Sequence, residues 1–76
     1  MERRWLKSLR KEKGLTLREL GERIGLSECY VSNIEAGTRK CSGMDVSMLT
    51  KIATATGTRV SKLLEAEARW IGGRDG

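Results

Sequence analysis

The sequence predicts an all-α domain of five helices. Apolar residues recur at three- and four-residue spacing along most of the chain, hydroxyl and acidic residues stand where helices need N-caps with glycines where they should end, and no proline interrupts the pattern. A chain of 76 residues has an unfavourable surface-to-volume ratio, so it reads as one small domain over 1–76 that needs compact packing or a partner chain.

Trp5, Leu6 and Leu9 at helical spacing, with basic residues between them, predict helix 1 over Arg3 to Lys13. Gly14 follows where a helix-ending left-handed residue is needed. Thr16-Leu17-Arg18-Glu19 is a capping box, in which the Thr16 hydroxyl accepts from the Glu19 amide while the Glu19 side chain reaches back. Helix 2 then runs from Leu17 to Ile24 and stops at Gly25. Leu26 is an inward anchor, Ser27 an N-cap, and helix 3 extends to about Ala36 before Gly37. Thr38 to Met44 has no periodicity and reads as a loop. Asp45 caps helix 4, where Val46, Leu49, Ile52, Ala53 and Thr56 follow the helical period to Gly57. Helix 5 begins near Arg59 with Val60, Leu63 and Leu64 inward, and the tail at about 72–76 is expected to fray.

Helices 2 and 3 form a helix-turn-helix pattern over about 17–36. Two helices crossing steeply need a small residue where their backbones approach, Gly21, and a residue tolerant of positive φ in the turn, Gly25. Leu20, Ile24, Leu26, Val31 and Ile34 supply the apolar contacts that fix the angle. At about 100° per residue, Tyr30, Val31 and Ile34 share one arc of helix 3, while Glu28, Cys29, Ser32 and Asn33 share the opposite one. A solvated face favours Lys, Glu and Gln. Short polar side chains on a helix locked from behind suit the edges of bases in a DNA major groove.

The net charge of +5 and isoelectric point near 9.7 favour polyanionic partners. With no His and few aromatics, and with acids scattered along the helices, the chain lacks the carboxylate cluster of a metal-dependent nuclease, and no enzyme is expected. Cys29 and Cys41 are too far apart for a Cys-x-x-Cys pair and have no His to complete a zinc site, so neither metal nor cofactor is expected. They read as reduced thiols, with a disulfide as the alternative. The N-terminus lacks the apolar core of a secretory signal and no apolar run is long enough for a bilayer, which predicts a cytoplasmic protein without membrane contact.

Four stretches carry a family resemblance: L-x-x-L-R-K-E-K-G-L-T from Leu6 to Thr16, L-G-x-x-I-G-L-S from Leu20 to Ser27, V-S-x-I-E-x-G-x-R from Val31 to Arg39, and L-x-K-I-A from Leu49 to Ala53. Together they resemble the Cro and phage-repressor class of bacterial helix-turn-helix regulators, also called the xenobiotic-response-element class. The resemblance implies a five-helix, lambda-repressor-like domain that binds double-stranded operator DNA as a homodimer, with the helix from Ser27 as the recognition helix. It implies base reading by Ser27, Glu28, Cys29, Ser32 and Asn33, and phosphate binding by Thr38, Arg39 and Lys40, with Arg18 a further phosphate candidate. It also implies an internal ion pair of Arg10 with Glu35, which borders the inward arc. The surface around helix 5 commonly joins subunits in this class, which makes Trp70 and Ile71 interface candidates; Trp5 and Trp70 as core filling, or stacked between the chain ends, is the alternative.

This chain departs from the pattern at three places. Leu17 stands where many relatives carry Gln, leaving only a backbone amide and the helix dipole for a phosphate. Glu28 replaces the frequent Gln or Arg and is either a reader of a cytosine amine or an acid favoured by the helix N-terminus. The 38–44 loop is longer than usual by about three residues and lacks the usual proline. Cys29 is either a small neighbour for a thymine methyl or an oxidation sensor. The expected role is a transcriptional repressor that occludes polymerase, and the residues leave activation by touching polymerase open; a restriction-modification controller or an antitoxin of the same fold, and a helical protein-interaction module from another class, are the alternatives.

Overall fold

A computed structural model describes residues 2–37 and 45–74. Among these, the chain forms five helices and no strand: α1 (Arg4–Glu12), α2 (Leu17–Ile24), α3 (Glu28–Ala36), α4 (Val46–Thr56) and α5 (Val60–Arg74). The all-α class is as the sequence predicts. The expected loop from Thr38 to Met44 lies outside the described residues.

Local chemistry sets most helix ends. Thr16 Oγ1 accepts from the Glu19 amide at 3.0 Å and a Glu19 carboxylate oxygen accepts from the Thr16 amide at 3.0 Å, so the capping box starts α2. Ser27 Oγ accepts from the Tyr30 amide at 3.1 Å to start α3, and Asp45 Oδ1 accepts from the Met48 amide at 2.8 Å to start α4. Gly25, Gly37 and Gly57 close α2, α3 and α4 at φ 75°, 69° and 66°, a left-handed region that disfavours a Cβ.

The capping box leaves a titration signature. The Thr16 backbone amide, then its hydroxyl, and more weakly Arg23, hold the Glu19 carboxyl below its ordinary value. A folded value below the unfolded one means that this contribution is present above the ordinary carboxylate range and is lost as pH falls through the lowered value. Thr16→Ala is expected to destabilise the domain by about 1 kcal/mol and to return the Glu19 midpoint toward its ordinary value in an NMR pH titration. An unmoved midpoint would show that the hydroxyl contributes nothing and that the amide, which alanine keeps, holds the shift alone.

Leu6, Leu15, Leu20, Ile24, Val31, Ile34, Leu49, Ile52 and Leu63 form one buried cluster drawn from every helix. Helices α2 and α3 pack most extensively on each other, α4 packs on α2 and α5, and α1 lies against α3 and α5. Three expectations fail at the edge of this core. Tyr30 is 43% exposed, Leu64 40% and Val46 60%. Tyr30 flanks the Val31–Ile34 arc without entering it. Leu64 turns about 100° away from Leu63, the face that α5 commits to packing, and Val46 sits at the first position of α4. Helix α5 continues through Gly72 and Gly73 to Arg74, and neither glycine has a positive φ. Glycine weakens a helix interior without ending it unless the backbone turns left-handed.

Candidate nucleic-acid interface

The crossing of α2 over α3 depends on Gly21, whose chain position brings it against the turn. A Cβ built there would lie 2.5 Å from the Leu26 carbonyl oxygen and 3.3 Å from the Ser27 carbonyl carbon. The Leu26 amide donates to the Gly21 carbonyl at 2.8 Å. This backbone contact fixes where α3 begins.

From that start, α3 turns Val31, Ile34 and Glu35 inward and leaves Glu28, Cys29, Ser32 and Asn33 exposed along its other side. None of these four side chains hydrogen-bonds or ion-pairs with a described residue, and Cys29 is a free thiol. Ser27 lies at the mouth of the same face; its oxygen caps α3, which leaves the hydroxyl proton to donate outward. Exposed Tyr30 flanks Asn33 and adds a phenol that the arc reading had turned inward. Arg18, the second residue of α2, is exposed and paired with Glu22 at 3.3 Å across one helical turn, a weak, solvated contact that another anion can displace. Thr38, Arg39 and Lys40 lie outside the described residues.

Behind the exposed face, two buried ion pairs hold α3. Arg10 Nε donates to Glu35 at 2.6 Å and Arg10 Nη2 at 3.2 Å, while Arg10 Nη1 donates to the Leu15 carbonyl at 2.8 Å. The pair therefore ties α1, the α1–α2 turn and the end of α3 together. The second pair has no counterpart in the sequence reading. Arg3 is fully buried; its Nε and Nη2 donate to the two Glu67 carboxylate oxygens at 2.9 and 3.1 Å, and its Nη1 donates to the Ile34 carbonyl. The Arg3 amide donates to the Glu35 carbonyl at 2.7 Å. Arg3 thus satisfies carbonyls in the last turn of α3, and its guanidinium lies 4.1 Å from the Trp70 ring centroid.

Both tryptophans converge on this cluster: Trp5 Nε1 donates to Glu67 at 3.1 Å and Trp70 Nε1 donates to the Glu2 carbonyl at 2.9 Å. The two rings meet the chain ends through Arg3 and Glu67, and Trp70 is spent inside the protomer. A signal for the cluster was available. Arg3 stands three and seven residues before Leu6 and Arg10, and Glu67 stands between Leu63 and Trp70 at helical spacing, so each charge falls on its helix's buried stripe.

A buried scaffold, two short helices joined by a glycine turn with their backbones in close approach, and a polar face that no described residue engages define a helix-turn-helix domain, the DNA-binding unit. The family model described as "Helix-turn-helix domain" matches residues 3–66, and the chain belongs to that family. No curated protein matches the chain. No helix among the described residues is long and apolar enough to cross a membrane.

Proposed function

We propose that the protein is a sequence-specific transcriptional regulator of the Cro and phage-repressor class, acting by occupying operator DNA and so as a repressor. The observation that carries this reading is the division of α3: Val31, Ile34 and Glu35 are buried while Glu28, Cys29, Ser32 and Asn33 stand exposed and are engaged by no described residue. Inserted into a major groove, that side sets short donors and acceptors against base edges. Arg18, Thr38, Arg39 and Lys40 would grip the phosphates on either side, and Tyr30 adds a phenol to the flank.

A homodimer would set two copies of α3 in successive major grooves about 34 Å apart. Leu64, Ala68 and Ile71 form an exposed apolar stripe on α5 that can self-associate; Trp70, already buried, does not contribute. Selection of bound duplexes from a random pool tests both parts. Enrichment of two inverted half-sites one helical turn apart is the expected result, and an unenriched pool sinks the reading.

The roles of the side chains separate by their salt and sequence dependence. Asn33→Ala should cost about 1–3 kcal/mol at the base pair it reads and relax selectivity there. Lys40→Ala should weaken binding to every duplex alike and flatten the log–log salt dependence by about 0.9 per lost phosphate contact. Fluorescence anisotropy across a salt series distinguishes the two; identical behaviour of both variants would contradict the assignment.

A further inference from the structure

Helices α1 and α5 run antiparallel. The start of α1 meets the end of α5 through Arg3, Trp5, Glu67 and Trp70, and the end of α1 meets the start of α5. Between them lies an open furrow of about 410 Å³, floored by half-buried Trp5, Leu9 and Ala66 with Leu63 beneath. Lys13, Arg59 and Lys62 stand along it, all exposed and none paired with a carboxylate of a described residue. Glu12 is the opposing acid. The furrow continues past Trp5 and Ala66 into a second hollow of about 600 Å³, where Arg4, Glu2 and Arg69 join the rim, Arg69 through a solvated pair with Glu65. From Arg4 to Lys13 the trough follows α1 for about 13 Å, between two and three helical turns.

We propose that this trough docks an acidic amphipathic helix of a partner protein. Unpaired cations beside an apolar, partly aromatic floor suit a helix with aliphatic residues on one face and carboxylates flanking them. A phosphate backbone would answer the cations and leave Trp5, Leu9 and Ala66 uncovered. A second copy of this chain is poorly suited, because Glu35 and Glu67 are buried in ion pairs and Glu19 and Asp45 are engaged as helix caps. The trough is built from α1 and α5, whereas the exposed face of α3 belongs to the other side of that helix's packing. Given the DNA reading proposed above, partner and DNA would be held at once; the docking itself does not depend on that reading.

The test uses the whole chain, labelled with nitrogen-15, and a 14-residue synthetic helix with Leu at positions three and four apart and Glu beside them. The expected result is a saturable shift of the Trp5 indole and of the Lys13 and Lys62 amides, with Asn33 unmoved. Arg59→Glu with Lys62→Glu, both at exposed sites, should weaken the peptide at least about tenfold and favour a peptide bearing Lys in place of Glu. Lys62→Ala provides a milder variant, and circular dichroism checks that each is folded. Three results overturn the proposal: no saturable shift, equal binding of a peptide with Ser in place of Leu, or loss of random-duplex affinity in the charge-reversed variant as large as its loss of peptide affinity. The last would make the trough a phosphate track. Random-pool selection with the same variant reports separately on α3, so failure of one reading is distinguishable from failure of the other.

Discussion

Glu67→Ala is expected to lower the unfolding free energy by about 3–5 kcal/mol, the loss typical of removing one member of a buried ion pair. The Glu67 carboxylate accepts from Arg3 Nε at 2.9 Å, Arg3 Nη2 at 3.1 Å and Trp5 Nε1 at 3.1 Å. Truncation takes both charged acceptors, opposite Nε and Nη2, from a fully buried guanidinium, which costs the desolvated charge its carboxylate. Glu67→Gln retains an acceptor and should lose less. The exposed Arg69–Glu65 pair, 2.7 Å long on the same helix, is the internal comparison: Glu65→Ala should cost less than about 1 kcal/mol, since solvent and side-chain entropy offset its attraction. Urea unfolding followed by circular dichroism measures all three. Equal losses for Glu67→Ala and Glu65→Ala would show that burial confers no special weight on the Arg3–Glu67 pair.

Glu67→Ala should also reach α3, since Arg3 donates through both its side chain and its amide to carbonyls in the last turn of that helix. The Arg3–Glu67 pair spans 64 residues of sequence. That distance explains why the sequence reading found the Arg10–Glu35 pair and missed this one. Arg10 and Glu35 sit within motifs that carry the family resemblance, whereas Arg3 begins a run of basic residues, Arg3, Arg4 and Lys7, in which the spacing to Leu6 and Arg10 marks the inward one but names no partner for it. The caps were legible because their chemistry is local: Thr16 and Glu19, Ser27, Asp45 and the glycines at 14, 25, 37 and 57 each act within a few residues. The exposed side of α3 was legible for the same reason. Tyr30 and Leu64 were not, because a residue at the border of a helical arc is assigned by the neighbouring helix, and the period alone leaves it on either side. Gly72 and Gly73 lie inside α5 because a glycine ends a helix by its φ, which composition does not report.

Gly21→Ala carries the second large effect, a net loss of about 1–3 kcal/mol. In an exposed helix interior the same change would stabilise by about 1 kcal/mol. Here the new methyl would meet the Leu26 carbonyl oxygen at 2.5 Å and the Ser27 carbonyl carbon at 3.3 Å. Both belong to the backbone, so no side chain can swing aside; relief requires moving the turn. Leu26 and Ser27 are the turn and cap that start α3, which means that the strain opens the α2–α3 crossing and displaces the polar side of α3 relative to the rest of the domain. Selective DNA binding should therefore fall further than the loss of stability alone accounts for, when compared at a temperature where the variant is fully folded. Gly72→Ala makes the contrast: it is helical, its Cβ would meet nothing within 4 Å, and the chain should melt at a higher temperature. Thermal melts of the two variants beside the parent decide the matter. A Gly21→Ala protein that melts with or above the parent would mean that the two backbones do not approach as closely as the crossing requires, and the placement of α3 would have to be redrawn.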